Sequence, residues 1–138
     1  MKKYSFLVIA ILMTTYVLAQ ESSTPPEEMP GAYMTFVESA HDFGDIYQGD
    51  NVEYTFNFEN TGDAPLIITN IKVTCGCTAT DWKREPILPG EESSITVKFN
   101  STGKINKQNK VITIISNANN PLPQVKIVAN VLPKKKDS

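Results

Sequence analysis

The sequence holds little of what catalytic and metal sites are usually made from: one histidine, His41, and two cysteines, Cys75 and Cys77. A structural zinc site wants four ligands, and one histidine with one cysteine pair falls short of that. No G-x-S-x-G elbow, phosphate-cradling glycine loop or cofactor fingerprint occurs, so no cofactor is expected and no hydrolase or nucleotide-binding reading finds support. Asp42 follows His41 directly, but neighbouring residues on a strand point to opposite faces, so the pair does not build a general base. A structural or solvent-exposed His41 is expected. Asp45, Asp50, Asp63 and Glu91 are scattered without calcium-loop spacing and read as solvating turn residues.

Basic residues are also scarce, 13 against 15 acidic ones, and they form no basic face. Phosphate binding needs such a face, so a nucleic-acid partner is not expected. The single basic run, Lys134-Lys135-Lys136, reads as a solvated tail within 133–138. At the other end Lys2 and Lys3 precede an apolar run from Phe6 through Ile11 to Leu18, closed by Val17-Leu18-Ala19. This is the pattern of a signal peptide over 1–19, cut after Ala19. The run is shorter than the roughly 20 residues a bilayer requires and is interrupted by Thr14 and Thr15, so no stable membrane insertion is expected after cleavage. No cysteine follows it to carry a lipid anchor. Cleavage leaves 11 basic residues against 15 acidic ones, a net charge of −4. The protein is expected to be periplasmic or extracellular, within the cell envelope.

What is present is strand pattern. Residues 20–31 include Ser22-Ser23-Thr24-Pro25-Pro26-Glu27-Glu28, a composition that suits a flexible, extended lead-in. The domain is expected over 32–132. Val52, Tyr54, Phe56 and Phe58 alternate with Glu53, Thr55, Asn57 and Glu59, the period of a half-buried strand, which places Tyr54 in the core. Asn60-Thr61-Gly62-Asp63 ends that strand, and Pro65 opens another in which Leu66, Ile68, Ile71 and Val73 face inward. Pro89-Gly90-Glu91 is a turn signal ahead of Ile95, Val97 and Phe99, which share one face. Residues 110–116 carry β-branched side chains on both faces and predict a central strand covered on both sides. With strands at 35–37, 41–46, 78–82 and 125–131, seven to eight short strands predict an all-β, antiparallel sandwich. No segment has helical periodicity, and no internal repeat is seen.

In order, Asp42-Phe43-Gly44-Asp45-Ile46, Gly49, residues 54–63, Pro65-Leu66-Ile67-Ile68, Cys75-Gly76-Cys77-Thr78, Trp82, Pro89-Gly90-Glu91 and Ser116-Asn117 resemble a known family, the bacterial domain of unknown function fifteen-seventy-three. The resemblance runs from about residue 35 to 131. It implies an immunoglobulin-like sandwich in exported proteins, related in architecture to major-sperm-protein and cilia-associated domains, and it transfers no catalytic residue. Lys104-Ile105-Asn106-Lys107 stands where such members often place a glycine turn, and Ala129 where they often place glycine. Asn tolerates turn conformations and Ala is small, so the fold is expected to hold.

The cysteine pair keeps four readings open. Residues i and i+2 of a strand share a face with Cα atoms about 6.6 Å apart, at the upper edge of disulfide reach, and Gly76 permits the bend that closure needs. A local disulfide between Cys75 and Cys77, a buried thiol pair, a copper(I) site or other metal site on the two thiolates, and redox exchange all fit an exported protein. Trp82, flanked by Lys83 and Arg84, reads either as an edge plug or as an interaction surface. Immunoglobulin-like sandwiches also leave strand edges that can accept another strand. The expected function is therefore a non-enzymatic, exported interaction or envelope-associated structural domain. The partner is a protein of unknown identity, met by strand addition at a sheet edge. A thiol site is the alternative, and carbohydrate binding a weaker one.

Overall fold

The computed structural model describes residues 30–74 and 76–136, without the side chain of Thr80. The expected signal peptide, residues 20–29 of the lead-in, and Cys75 lie outside the described residues. Eight strands follow in chain order: β1 Met34–Phe36, β2 Ala40–Tyr47, β3 Asn51–Asn60, β4 Ile68–Val73, β5 Cys77–Trp82, β6 Glu92–Asn100, β7 Asn106–Ser116 and β8 Gln124–Leu132. They form two four-stranded sheets, β1-β3-β6-β5 and β2-β8-β7-β4, packed face to face. The all-β sandwich expected from strand spacing is the observed fold.

Period-two alternation decides which side chains enter the core. Phe56 and Phe58 of β3 and Ile95, Val97 and Phe99 of β6 are buried from one sheet. Ile112 and Ile114 of β7 and Val125, Ile127, Ala129 and Val131 of β8 meet them from the other. Fully burying each large apolar side chain is worth about 1.5–3 kcal/mol, so these two inner faces are the main source of cohesion. The outer face of the first sheet is polar. Thr55 and Thr96 hydroxyls lie 2.9 Å apart across the β3–β6 ladder, and Glu53 and Lys98 are 3.7 Å apart beside them.

Three departures from the expected pattern have local causes. Leu66 is buried, but it precedes β4 and belongs to a single bridge with Ile87. A bulge between Ile68 and Asn70 shifts the phase of β4, so Ile71 turns inward while Val73 reaches the mouth of the sandwich and stays 38% exposed. β7 is covered on one face only: Val111, Thr113 and Ile115 on its other face are half-exposed. β-branched residues on both faces reflected strand propensity rather than a second protein layer. Asn106 opens β7 at φ 62°, doing at that turn what the sequence assigned to asparagine.

The chain changes sheets five times, between β1 and β2, β2 and β3, β3 and β4, β4 and β5, and β6 and β7. After β1 it crosses at residues 37–39 to β2, which runs parallel to β8 from Ala40↔Lys126 to Tyr47↔Leu132. After β4 it crosses back at Gly76 into β5. At the end of β3 the crossings are held by one buried carboxamide. Asn60 is fully buried; its Oδ1 accepts N–H groups of Tyr33 (3.2 Å) and Gly62 (3.1 Å), and its Nδ2 donates to the carbonyls of Ala64 (2.8 Å) and Ile87 (2.9 Å).

Each buried polar group left without a partner costs about 1–3 kcal/mol, and Asn60 serves several. Asn60→Ala is therefore expected to lower unfolding free energy by about 3 kcal/mol in urea melts, whereas Asn57→Ala, outward on the same strand, should stay within about 0.5 kcal/mol. Equal effects at the two positions would show that the carboxamide is not the tie described.

Candidate functional site

Several of the motif residues singled out by the sequence do structural work together at one end of the sandwich. Gly90 N–H donates to the Asn60 carbonyl (2.7 Å) and Asn60 N–H to the Glu91 carbonyl (3.0 Å), so Pro89-Gly90-Glu91 is buttoned onto Asn60-Thr61-Gly62-Asp63. Asp63 N–H reaches the Gly31 carbonyl (2.8 Å), and a Cβ at Gly62 would stand 2.0 Å from that same oxygen. Only glycine lets the chain approach there. Asn117 in turn receives Ile67 N–H on Oδ1 (2.7 Å) and donates Nδ2 to the Pro65 carbonyl (3.0 Å).

Cys77 starts β5 and is buried, its N–H donating to the Thr74 carbonyl (3.1 Å). Gly76 carries the sheet-to-sheet bend at φ 91°, and its carbonyl accepts Asn100 N–H (2.9 Å). With Cys75 outside the described residues, the expected disulfide and thiolate site are not described. Among the described residues no three metal-binding side chains converge.

Trp82 is half-buried against the core at the edge of β5, as an edge plug would be. Its neighbours are engaged within the domain. The Arg84 guanidinium sits 3.7 Å from the indole centroid, a stacked cation–π contact, and Lys83 pairs with Glu91. Trp82 Nε1 is buried and, among the described residues, has no hydrogen-bond partner. Glu91 also accepts Leu88 N–H on Oε2 (3.0 Å). The hydrogen bond from Lys83, then the one from Leu88, hold its carboxyl below the ordinary value.

A different place, not marked by any motif, offers unused bonding capacity. Val37 N–H donates to the Asn57 carbonyl (3.0 Å) and Thr61 N–H to the Tyr33 carbonyl (2.9 Å), so the odd-numbered residues of β3 aim their backbone groups at β1. The even-numbered ones face β6, as Asn60 N–H to Glu91 O shows. β1 ends at Phe36 and the chain departs for the other sheet, which leaves the N–H and C=O of Glu53 and Thr55 without a backbone partner among the described residues. Beside this bare stretch the sandwich opens as a slot. Tyr54, expected in the core, is half-buried at its mouth, with its ring stacked on His41 at 3.7 Å and 8°. Phe43 meets His41 edge-on at 4.7 Å. The Tyr54 hydroxyl donates to Glu38 Oε2 (2.5 Å), and this bond to a carboxylate, followed by desolvation and the Glu38 charge, raises its pKa. Val37, Glu38, Tyr54, Phe56 and Asn57 enclose a recess of about 210 Å³ there. His41 thus has a structural stacking role. Parity along β3 marked Tyr54 as inward, but parity gives the side of a sheet and not the depth.

The sheet orders, with the first strand divided between the sheets, define an immunoglobulin-like sandwich of the A-B-E-D and A′-G-F-C arrangement. The chain belongs to the family described as Protein of unknown function (DUF1573), whose model matches residues 34–131. Among solved structures it is similar to a protein of unknown function from Porphyromonas gingivalis W83 (TM-score 0.62, 21% identity, 73% of this chain and 47% of that one). It is also similar to the secreted serine protease VesC from Vibrio cholerae (TM-score 0.58, 14% identity, 72% of this chain and 23% of that one). The ASH / PapD-like domain of human CEP192 matches at TM-score 0.57 and 8% identity, over 80% of this chain and 94% of that one. The chain therefore spans about half of the first of these and a quarter of the second. No curated protein matches it in sequence.

The lowered carboxyl of Glu91 ties stability to pH. A group whose folded-state pKa lies below its unfolded value, here 4.5, contributes stability above that value and loses it as pH falls through the folded one. Tm of the native protein is expected to exceed that of Glu91→Gln at neutral pH, with the gap closing below about pH 4.5 and narrowing in high salt. A gap independent of pH in thermal melts would remove the ion pair as its cause.

Proposed function

We propose that this protein is an exported, non-enzymatic protein-interaction module of the bacterial cell envelope that engages its partner by strand addition at a sheet edge. One observation carries this reading: a stretch of regular strand with unpaired backbone donors and acceptors, next to an aromatic slot. Such an edge supplies affinity through main-chain hydrogen bonds and selectivity through alternate side chains. The family motifs support it indirectly, because their polar atoms serve turns and crossings rather than converging on a reaction centre. In VesC the similar part is 23% of a larger secreted chain, which supports reading the sandwich as a module rather than a catalytic body.

The protein expressed from its whole reading frame in a bacterial host is expected in the periplasmic or envelope fraction, with an intact mass corresponding to cleavage after Ala19. Cross-linking capture from native envelopes should retain the same partner with the folded Cys75→Ser/Cys77→Ser variant as with the native protein. Cytoplasmic retention of the uncleaved chain would overturn export. Loss of the partner in the cysteine variant alone would transfer the function to the thiols.

A further inference from the structure

The sandwich has four edge strands, and each is blunted. β2 carries a bulge between Asp42 and Asp45, where the Asp42 side chain takes Gly44 N–H (2.8 Å). β4 carries one between Ile68 and Asn70, where the Asn70 side chain takes Ile71 N–H (2.9 Å). β5 is bulged between Ala79 and Asp81, and β1 is three residues long. Bulges and short strands are the usual means of keeping edges from pairing. The stretch of β3 that β1 leaves bare has neither: its register against β6 runs unbroken from Asn51↔Asn100 to Glu59↔Glu92. It is an interior strand with one side unpaired.

We propose that residues 51–55 of β3 bind an extended segment of a partner protein in which aliphatic residues alternate with lysine or arginine. This deepens the strand-addition reading above and rests on it. Set antiparallel to β3 in line with β1, such a segment exchanges hydrogen bonds with the N–H and C=O of Glu53 and Thr55. Its inward side chains then fall opposite Tyr54 and Val52, both half-buried, against the rings of His41 and Phe43. That side of the slot calls for apolar residues.

Its outward side chains fall beside Glu53, whose side chain is 62% exposed and whose carboxylate Lys98 approaches only to 3.7 Å. Glu38 closes the slot at the crossover, and Glu59 and Glu92 face each other farther along the same outer surface. Opposite charges across a strand pair stabilise it and like charges oppose it, so cations are favoured on this side. The same rule disfavours a second copy of this chain: antiparallel self-pairing centred on this stretch would set Glu53 against Glu53.

The test uses the full chain and a short capped peptide alternating lysine and valine, with three controls: a glutamate–valine peptide, a lysine–valine peptide N-methylated at every second residue, and the Glu53→Lys protein. The lysine–valine peptide is expected to bind and to slow amide hydrogen exchange at Glu53 and Thr55. The glutamate–valine and N-methylated peptides should each bind at least about tenfold more weakly, and Glu53→Lys, on an exposed face and still folded by its melting transition, should reverse the charge preference. Unchanged exchange at Glu53 and Thr55, protection confined to β4 or β5, or a dimer formed through β3 without peptide would overturn the proposal. If native envelopes still yield a partner that Glu53→Lys captures equally, this edge is wrong and the interaction reading stands. If nothing is captured, both fall.

Discussion

The buried carboxamide of Asn60 is the constraint on which the arrangement of the sandwich depends. It lies where β3 ends, and its two polar atoms bind backbone from the segment ahead of β1, from the turn after β3 and from the loop ahead of β6. A hydrophobic core fixes that two sheets pack, but apolar contact is non-directional and leaves sliding open. Four directed hydrogen bonds inside a dry environment do not. They set where β1 begins, and so where it stops.

That placement explains why the recurrent sequence motifs and the available surface are different parts of the molecule. Gly90 and Glu91 exchange backbone hydrogen bonds with Asn60, and Asn117 holds the backbone at Pro65 and Ile67, so the polar atoms of these motifs serve the scaffold. The unused capacity lies along β3, in residues with ordinary side chains, and arises from where a neighbouring strand departs. A family defined by such motifs is defined by its scaffold, and members can share it while differing in what they hold.

Much of the fold was legible. The alternation at Val52, Tyr54, Phe56 and Phe58 gave β3 and its inward face, Pro89-Gly90-Glu91 gave the turn before β6, and Gly76 marked a bend, which falls between the sheets. Reading failed where a side chain's surroundings depend on another strand. Tyr54 was assigned to the core because period two cannot tell the middle of a sheet from its mouth. β7 was assigned two covered faces because Val111 and Ile115 have strand propensity whether or not anything packs on them. The bulge at Asn70 set the phase that turns Ile71 inward with no glycine to announce it, and Val73, on the same side, lies at the mouth. The bare stretch of β3 was the least legible feature, since unpaired backbone carries no residue signature at all. For Trp82, Lys83 and Arg84 the sequence left an edge plug and an interaction surface both open; in the fold they contact the core, Glu91 and one another.

The parallel pairing of β2 with β8 has a mechanical consequence. Tension applied to the two ends of the domain reaches β2 at Ala40 and β8 at Leu132, opposite ends of one ribbon, and pulls the strands along their length in opposite directions. The rungs of that ladder are then strained together and cannot be opened one at a time from a frayed end. The first and last long strands act as a shear clasp, and a chain strung between two anchored neighbours would bear load across it.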